Sequence, residues 1–325
     1  MTGIPSLESI SLDSKFLGSI VIEHRQHTAE LPVAIIRGKR QGPHTYIGAA
    51  THGDEVNGVA VCQRLIETLD PADISGCVVI VPVQNPLGFL GRQRANPVDG
   101  FENDSVYPGR SDGSLTERIA YVLYSHFASK CNYVIDVHTA TTGGRNLPHV
   151  YAPPDVQGSA LVDSFELALA FQPDLIVRVE HGVDYGFDLT HLSPFVAARN
   201  GRQGIYVELG EGNRLEDVFV ERGYEGLRNV LVRIGSLPKS SDTVASRPTR
   251  VVKRVSYVRA QATGLLKLKT RLGFDITPGD EVAEIIEPLG KVKTHATIVG
   301  GLVFRVQTFG LTKLGDNLVS IGHDP

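Results

Sequence analysis

The feature that most constrains the fold is a regular alternation of two periodicities between about residues 32 and 235. Short apolar runs suited to buried strands alternate with longer segments in which apolar residues recur every three or four positions, as on one face of a helix. Strands and helices that take turns along a chain build a largely parallel sheet covered by helices. Strands are predicted at residues 31–38, 44–51, 77–83, 133–139, 174–180 and 204–210, and helices near residues 55–69, 115–129, 157–171 and 216–234.

The character of the sequence changes after Gly235. The stretch SLPKSSDTVASRP is polar, contains Ser and Pro and has no period, which is typical of a connection between domains. Residues 250–325 then carry short Val, Ile and Leu runs separated by Gly, Pro-Gly-Asp and Gly-Asp turns, a pattern typical of a small barrel or sandwich. We therefore predict an α/β domain over residues 1–238 and a small all-β domain over residues 250–325.

Charge and cysteine content narrow the classes of partner and compartment. The net charge is −4, and no run of five like charges occurs, so the sequence lacks the basic surface of a nucleic-acid or polybasic membrane binder. A small-molecule partner is therefore expected, and assembly into a homo-oligomer is compatible with the sequence. The three cysteines, Cys62, Cys77 and Cys131, are widely spaced in apolar stretches, and the first fifteen residues do not resemble a signal peptide. We expect a cytoplasmic protein.

The segment YIGAATHGDEVNG contains a candidate pair of metal ligands. An apolar strand and a turn of small residues precede His52 and Glu55, which are three positions apart at the start of a predicted helix. Residues at this spacing share one helix face, so the imidazole and the carboxylate can bind one cation. The same spacing recurs at His27 and Glu30, but that pair lies in the polar stretch HRQHTAELP, with no preceding strand. We interpret that second pair as solvated surface.

A third candidate ligand is His138 in YVIDVHTATTGG, at the carboxyl end of another predicted strand. In open α/β sheets, ligand sites gather at these strand ends, so His138 can join His52 and Glu55 there. Asp136 precedes His138 by two residues and shares its side of the strand. Its carboxylate could accept the second ring N–H of a metal-bound histidine.

A candidate acid–base residue is Glu208 in GIYVELGEG, again at a strand end and followed by glycines. A carboxylate beside a metal-bound water can take its proton and deliver it to a leaving nitrogen. Glu211, three residues further on, is a rival for this role. The sequence pattern by itself does not choose between the two glutamates.

Taken in order, these motifs resemble the succinylglutamate desuccinylase and aspartoacylase family of zinc acylases, relatives of the zinc carboxypeptidases. The resemblance runs from about Gly48 to Gly235 and covers GAATHGDEVNG, QNPLGFLGRQR, DGFENDSVYPG, DGSLTERIA, VIDVHT and YVELGEG. It implies a zinc-carboxypeptidase-like, mixed and largely parallel sheet with helices on both faces, followed by a small all-β domain. It also implies hydrolysis of the amide bond of a small N-acylated amino acid or amine.

The resemblance assigns roles to particular residues. It implies one zinc ion per chain held by His52, Glu55 and His138, with Glu208 as general base and acid. Arg94, nine residues after the Asn of the Asn-Pro motif, matches the arginine that polarises the scissile carbonyl. The choice of Arg94 over Arg92 and Arg110 rests on this family spacing.

One departure from the family pattern bears on the substrate. The family usually has DGxNLNRxFPG where this chain has DGFENDSVYPG, so Asp104 and Ser105 replace an Asn-Arg pair that grips a substrate carboxylate in relatives. An aspartate there would repel a carboxylate, so we predict a neutral or amine-bearing acyl amide, with Asp104 facing the amine. Alternatively, Arg110 or Arg145 supplies the missing positive charge. We therefore name Asp104, Ser105 and Arg110 as substrate-binding candidates.

Three other functions remain open from the sequence. A peptidase that trims a carboxyl-terminal residue would use the same chemistry, but it too would need an arginine for the terminal carboxylate. An inactive family member could act as a small-molecule binding or regulatory module, and metal content would distinguish it from the enzyme. A carrier module in the C-terminal domain would need a modifiable lysine, and Lys291 and Lys293 lack the flanking residues that carriers use.

Overall fold

The computed structural model of the protein describes residues 5–180, 188–239 and 247–324. Its helices are α1 (Val56–Thr68), α2 (Pro86–Gly91), α3 (Leu115–Val122), α4 (Ser164–Phe171), α5 (Ser193–Arg199) and α6 (Asp217–Arg233). Its strands are β1 (Ser14–His24), β2 (His27–Arg37), β3 (Arg40–Ala49), β4 (Ser75–Val81), β5 (Tyr133–Ala140), β6 (Gly144–Ala152), β7 (Leu175–Arg178), β8 (Gln203–Glu211), β9 (Arg250–Val252), β10 (Arg254–Arg259), β11 (Gly264–Leu268), β12 (Asp275–Ile276), β13 (Glu281–Ile286), β14 (Val292–Ala296), β15 (Gly301–Gln307), β16 (Leu311–Thr312) and β17 (Asn317–His323).

Thirteen of the described strands form one mixed sheet whose main path is β1-β2-β4-β3-β5-β8-β6-β15-β17-β10. The centre of this sheet is parallel: β3 pairs in parallel with both β4 and β5, and β5 pairs in parallel with β8. The hairpin β1-β2 adds antiparallel strands beside β4, and β6 runs antiparallel to β8. The parallel centre brings the carboxyl ends of β3, β5 and β8 to the same edge of the sheet.

Helices cover both faces of the parallel centre. Side chains alternate along a strand, so Ile47 of β3 points to one face and Tyr46 to the other. Ile47 belongs to a core that includes Leu65 of α1 and residues of α4 and α6. Tyr46 belongs to a second core that includes Ile119 of α3 and residues of α5. This two-sided burial explains why the predicted central strands are continuous apolar runs.

The C-terminal strands divide between two sheets. Strand β15 pairs with β6 and so extends the large sheet through β17 to β10. Strands β14, β13, β11 and β16 form a separate four-stranded sheet. The predicted mixed sheet, with helices on both faces and an additional small β sheet, is confirmed. The proposed division at residues 238–250 stays a prediction, and residues 240–246 of the predicted connection lie outside the described residues.

Several predicted elements differ in their bounds. The helix predicted over 157–171 begins only at Ser164, because the Asp163 side chain caps it by accepting a hydrogen bond from the Glu166 backbone N–H. Strands β1 and β6 and the short helices α2 and α5 are additional elements. All three cysteines are buried and free, which agrees with their predicted place in the core. Within the described ranges, no helix has the length and apolar character needed to cross a membrane.

Candidate metal centre and active-site cavity

The predicted metal ligands come together at the carboxyl edge of the parallel sheet. Strand β3 ends at Ala49, and Ala50 then takes a positive φ of 47°, which turns the chain out of the sheet before His52. Glu55 follows as the residue that precedes α1. His138 lies near the end of β5, which pairs in parallel with β3, so both strands deliver their side chains to one place. All three side chains are almost completely buried.

The ligand atoms of this trio face one another. Glu55 Oε1 is 2.8 Å from His52 Nδ1, and Glu55 Oε2 is 2.9 Å from His138 Nδ1. The two histidine Nδ1 atoms are 3.3 Å apart. One nitrogen from each of the two imidazoles and one carboxylate therefore point at a common position.

This geometry fits a zinc ion. Two nitrogens that each lie about 2.0 to 2.1 Å from a tetrahedral zinc are about 3.4 Å apart, close to the separation of the Nδ1 atoms. A histidine that binds metal through Nδ1 keeps its proton on Nε2 and usually directs it at a carboxylate. His138 Nε2 is 3.3 Å from Asp136 Oδ1, and His52 Nε2 is 2.8 Å from Asp104 Oδ2. Each imidazole thus has an acidic partner on its outer side.

Asp136 is held in place by three neutral donors. Thr51 and Gln84 donate to its Oδ1 at 3.1 Å and 2.7 Å, and Ser193 donates to its Oδ2 at 2.9 Å. The Gln84 amide oxygen in turn accepts from two buried tyrosine hydroxyls, Tyr46 at 2.9 Å and Tyr107 at 2.8 Å. Because the carboxylate is fully buried, these bonds replace the water that it has lost and fix its orientation toward His138.

A glycine makes this network possible. A Cβ added to Gly48 on β3 would lie 2.4 Å from Gln84 Nε2, so any larger residue would push Gln84 away from Asp136. The sequence pattern indicated that a small residue occupies position 48 but gave no reason for it, since Gln84 is thirty-six positions further along the chain.

Asp104 lies behind His52. The residue is 8 % exposed, and its carboxylate faces His52 Nε2, the ring nitrogen that points away from Glu55 and His138. Burial by itself would raise the pKa of Asp104, but the neighbouring charges of His52 and Arg94 bring it down to about 2. Asp104 is therefore ionised at neutral pH. The predicted substrate role of Asp104 stays a prediction, and its position beside His52 points to a second role.

Glu102 approaches the same outer nitrogen of His52. Its Oε2 is 3.4 Å from His52 Nε2, and together with Asp104 it forms a second set of potential cation ligands. The Arg94 Nε atom is 2.9 Å from Glu102 Oε1 and places a fixed positive charge at this second set. The first trio, His52, Glu55 and His138, is the better cation site because two histidine Nδ1 atoms and a buried carboxylate converge there.

Arg94 connects the trio with the adjacent cavity. Its Nη1 is 3.2 Å from Glu55 Oε1, and its side chain is about one-third exposed on the cavity side. The guanidinium can therefore donate to a group bound in the cavity while the carboxylates of Glu55 and Glu102 fix its position.

Glu208 lies on β8 directly opposite His138 of β5 in the parallel register. Its Oε2 accepts a hydrogen bond from the Asn146 amide at 2.8 Å. Burial, with a further contribution from the negative charge of Glu55, raises the pKa of Glu208 to about 8. A buried carboxyl with a raised pKa that borders a cavity has the properties expected of an acid–base group.

Glu208 and Glu211, the two candidates for the acid–base residue, have different surroundings in the structure. The Glu211 carboxylate accepts hydrogen bonds from the Gly143 backbone N–H at 3.1 Å and the Thr308 hydroxyl at 2.7 Å. It also pairs with Arg214 at 3.1 Å. Glu208 lines the cavity, whereas Glu211 ties β8 to the loop after β15.

The cavity beside the metal trio has a volume of about 260 Å³. One side is formed by Arg94, Glu208 and the turn after β5. The C-terminal strands β10, β15 and β17 form the opposite wall. Its lining residues are Arg94, Thr139, Ala140, Thr141, Asn146, His149, Tyr151, Tyr206, Glu208, Tyr257, Arg259, Phe304, Arg305, Asn317 and Ser320.

Other predicted residues lie away from this cavity. The Ser105 hydroxyl donates to the Glu102 carbonyl at 2.7 Å. Arg110 is exposed, with its Nε 3.1 Å from Glu117 Oε1, and it borders a separate surface depression. Arg145 pairs with Glu216. None of these three residues lines the cavity.

The second His-x-x-Glu pair occupies a surface hairpin. His27 and Glu30 lie on β2, where Glu30 accepts a hydrogen bond from the Ser19 hydroxyl of β1 at 2.5 Å. Neither belongs to the sets of potential metal ligands found among the described residues.

Several site residues were not recognisable from the sequence. Gln84 and Tyr206 lie within the family-like segments QNPLGFLGRQR and YVELGEG but were given no role, and Asn146 and Ser193 lie in segments without a motif. Tyr206 stacks on the ring of His138, with ring centroids 4.1 Å apart. Its position two residues before Glu208 on a strand was the only available signal, since alternate residues share a face.

The fold and the site together define an α/β protein with a candidate metal centre at the carboxyl edge of its sheet. Residues 41–234 match the model of the succinylglutamate desuccinylase/aspartoacylase catalytic domain. The chain belongs to this family of deacylases, as the motifs of the sequence predicted.

Individual relatives agree with the family match. The chain is 29 % identical over 289 residues to the N-alpha-acetyl-L-2,4-diaminobutyric acid deacetylase of Halomonas elongata, covering 86 % of this chain and 78 % of that protein. A product-bound structure of the ectoine utilization protein EutE (DoeB) from Ruegeria pomeroyi is 24 % identical, covers 97 % of both chains and gives a TM-score of 0.85. A succinylglutamate desuccinylase/aspartoacylase structure from Rhodobacter sphaeroides is 21 % identical, and the match covers 97 % of this chain and 98 % of that chain. Its TM-score is 0.84. The two structures establish the shared fold.

Proposed function

We propose that the protein is a zinc-dependent deacetylase that hydrolyses the amide bond of a small N-acetylated amino acid carrying a second amine. The observation that carries the proposal is the convergence of His52 Nδ1, His138 Nδ1 and Glu55 beside a cavity lined by Glu208. The name of the Halomonas relative supports an acetyl group and a diamino acid as the two parts of the substrate.

His52, Glu55 and His138 would hold the zinc ion, with Asp136 and Asp104 as the outer partners of the two imidazoles. When bound, zinc polarises an amide carbonyl and lowers the pKa of a water molecule toward neutrality. Asp136 and Asp104 act here as positioning residues, because each carboxylate fixes the proton on the outer nitrogen of its histidine.

Glu208 is proposed as the general base and general acid. Burial and the charge of Glu55 make its carboxylate a stronger base than an exposed glutamate, so it can take a proton from the attacking water. The same group then holds that proton within reach of the amide nitrogen, which leaves as an amine. Asn146 donates to Glu208 Oε2 and keeps the carboxylate directed into the cavity.

Arg94 is proposed to stabilise the negative charge that develops on the carbonyl oxygen. The guanidinium is preorganised, since Glu55 and Glu102 hold its Nη1 and Nε atoms. Removal of one such donor typically costs about 3 to 4 kcal/mol of transition-state stabilisation.

The acidic segment beside the metal trio supports a substrate with an amine. Glu102 and Asp104 are both carboxylates, whereas the family pattern has an Asn-Arg pair over Asp104 and Ser105. A negative field favours a cationic amine in this part of the site and disfavours a second carboxylate. We therefore propose that N-acetylaspartate and N-succinylglutamate are poor substrates. We further propose a cytoplasmic location and no nucleic-acid or membrane partner.

The test compares substrates on zinc-loaded protein. Turnover of Nα-acetyl-L-2,4-diaminobutyrate is measured beside that of N-acetyl-L-aspartate and N-succinyl-L-glutamate, and metal content is measured by mass spectrometry. We expect about one zinc per chain and a kcat/KM at least about tenfold higher for the diamino substrate, equivalent to about 1.4 kcal/mol. Preference for a dicarboxylate would refute the substrate class. A metal-free protein without turnover would instead favour the binding-module interpretation.

A further inference from the structure

The wall of the cavity opposite the parallel strands comes from the C-terminal part of the chain. Tyr257 and Arg259 lie on β10, Arg305 lies on β15, and Asn317 and Ser320 lie on β17. All of them follow residue 234, where the match to the catalytic-domain model ends. The match to the family model therefore says nothing about the residues of this wall.

Arg305 is positioned to present its guanidinium to the cavity. Strand β15 pairs with β6 so that Arg305 lies opposite Asn146, the residue that holds Glu208. The Arg305 Nη1 atom donates to the Asn317 carbonyl at 3.0 Å. Its Nη2 atom lies only 2.2 Å from where a Cβ would stand on Gly144, so the guanidinium lies against the bare backbone of that glycine.

No carboxylate among the described residues contacts the Arg305 guanidinium, although the buried Glu208 acts on it electrostatically from across the cavity. Among residues 5–180, 188–239 and 247–324, no carboxylate oxygen lies within 4.0 Å of its guanidinium nitrogens. Arg94 offers the contrast, because two carboxylates contact it in the same cavity. Arg259 borders the cavity as well, and its Nη1 donates to the Gly315 carbonyl at 3.2 Å. The C-terminal wall thus carries two guanidinium groups, and none of its described residues contributes a carboxylate to the lining of the cavity.

A partly buried guanidinium without an anion is unfavourable. Burial lowers the pKa of Arg305, because it disfavours the charged guanidinium. Two side-chain acceptors near it, Asn146 Oδ1 and Asn317 Oδ1, are buried and have no hydrogen-bond partner among the described residues. Among the described residues, the cavity lining therefore contains both a guanidinium without a carboxylate partner and two amide oxygens without a donor. A ligand with an anionic group would pair with the guanidinium, and its N–H groups could donate to the amide oxygens.

We propose that Arg305, with Arg259 beside it, binds the carboxylate of the substrate. A planar guanidinium matches a carboxylate in shape and can donate two parallel hydrogen bonds to it. The proposal rests on the proposed function and assigns the two ends of its substrate. The carboxylate lies at the C-terminal wall, while the acetyl amide faces Glu208 and the metal trio. Arg305 then supplies the positive charge that the Asp104-Ser105 segment lacks.

The first experiment uses a pair of substrates that differ only in the proposed contact, Nα-acetyl-L-2,4-diaminobutyrate and its α-carboxamide. We expect Arg305→Gln to raise KM for the carboxylate about 10- to 100-fold, with kcat little changed, and to leave KM for the carboxamide unaltered. Arg254→Gln, on β10 but outside the cavity lining, is the matched control and should change neither value. An unchanged KM for the carboxylate, or an equal rise for both substrates, would overturn the proposal.

A second variant moves the guanidinium without removing its charge. Gly144→Ala places a methyl group 2.2 Å from the Nη2 atom of Arg305, so the flexible arginine side chain must shift away, at little cost to folding. We expect a smaller rise in KM for the carboxylate substrate and none for the carboxamide. A Gly144→Ala protein with the kinetics of the unmodified enzyme would contradict the assigned position of Arg305.

Binding measurements separate this proposal from the proposed function. Calorimetry of Nα-acetyl-L-2,4-diaminobutyrate with zinc-loaded Glu208→Gln protein, with and without Arg305→Gln, reports the contact in the absence of turnover. Binding that weakens at least about tenfold on loss of Arg305 supports the contact even if the unmodified protein hydrolyses neither substrate. Binding that is undetectable in Glu208→Gln protein, or that does not depend on Arg305, would refute it.

Discussion

Replacement of Asp136 by Asn tests how much the outer partner of a histidine ligand contributes to the metal centre. The substitution keeps the shape of the side chain but removes the charge 3.3 Å from His138 Nε2. Loss of such an outer partner typically weakens metal binding about 10- to 100-fold. At 1.4 kcal/mol per factor of ten, we expect a cost of about 1.4 to 2.8 kcal/mol in zinc binding. Thr51 and Ser193 can rotate their hydroxyls to donate to or accept from the new amide, so the fold should persist.

The assay is a competition titration of zinc between the protein and a chelator of known affinity, with circular dichroism as a check on folding. Ser193→Ala is the matched control, since it removes one donor to Asp136 Oδ2 at 2.9 Å but leaves the carboxylate charge beside His138. We expect this control to weaken zinc binding less than about threefold, because the outer charge remains. The assigned role of Asp136 would be refuted if Asp136→Asn bound zinc as tightly as the unmodified protein does. It would also be refuted if Ser193→Ala weakened zinc binding as much as Asp136→Asn.

Three further predictions concern catalysis, pH and the core. Glu208→Gln should lower kcat about 10²- to 10⁴-fold with zinc content unchanged, whereas Glu211→Gln should leave kcat near that of the unmodified protein. Burial lowers the pKa of the His149 imidazole from 6.5 to about 4. The unfolded chain therefore binds a proton at this histidine at a higher pH than the folded chain does. The free energy of unfolding should fall by about 3 kcal/mol as the pH drops from about 6.5 to 4. Denaturant unfolding of His149→Asn should show a correspondingly flatter pH dependence, and an unchanged slope would contradict this. Leu65→Ala, at a fully buried position, should cost about 2 to 5 kcal/mol in the same assay, and a cost below 1 kcal/mol would contradict its place in the core.

The segment that departs from the family pattern changes both the surroundings of His52 and the charge available to a substrate. Asp104 lies 2.8 Å from His52 Nε2, where an acid can orient a metal-bound imidazole. The family arginine is absent at the next position, Ser105. The guanidinium of Arg305, which no carboxylate of the described residues contacts, lies on the C-terminal wall of the cavity. A substrate carboxylate can therefore be held from a different direction than the motif alone would suggest.

Patterns of short range were sufficient to predict the core of the fold. Strands β3, β4, β5 and β8 are apolar runs bounded by turns, and the structure places a strand at each of them. Helices α1 and α6 show an apolar residue every three or four positions, and both pack on one face of the sheet. The site ligands were found for the same reason: they follow directly after strands whose carboxyl ends meet at one edge. Strand β6, with its Gly, Pro and His residues, does not have such a pattern and was missed.

What only the tertiary structure decided is the set of contacts between residues far apart in the chain. Glu208 and Glu211 both lie near the end of β8, but Glu208 lines the cavity, whereas Glu211 bonds to Thr308, ninety-seven positions away. Arg305 borders the cavity only because β15 pairs with β6 in one particular register. The sequence by itself determined the periodicities, the turn residues and the candidate ligands, because these depend on neighbours along the chain. Strand order and register determine which distant side chains meet, and they are set by the packing of the whole sheet.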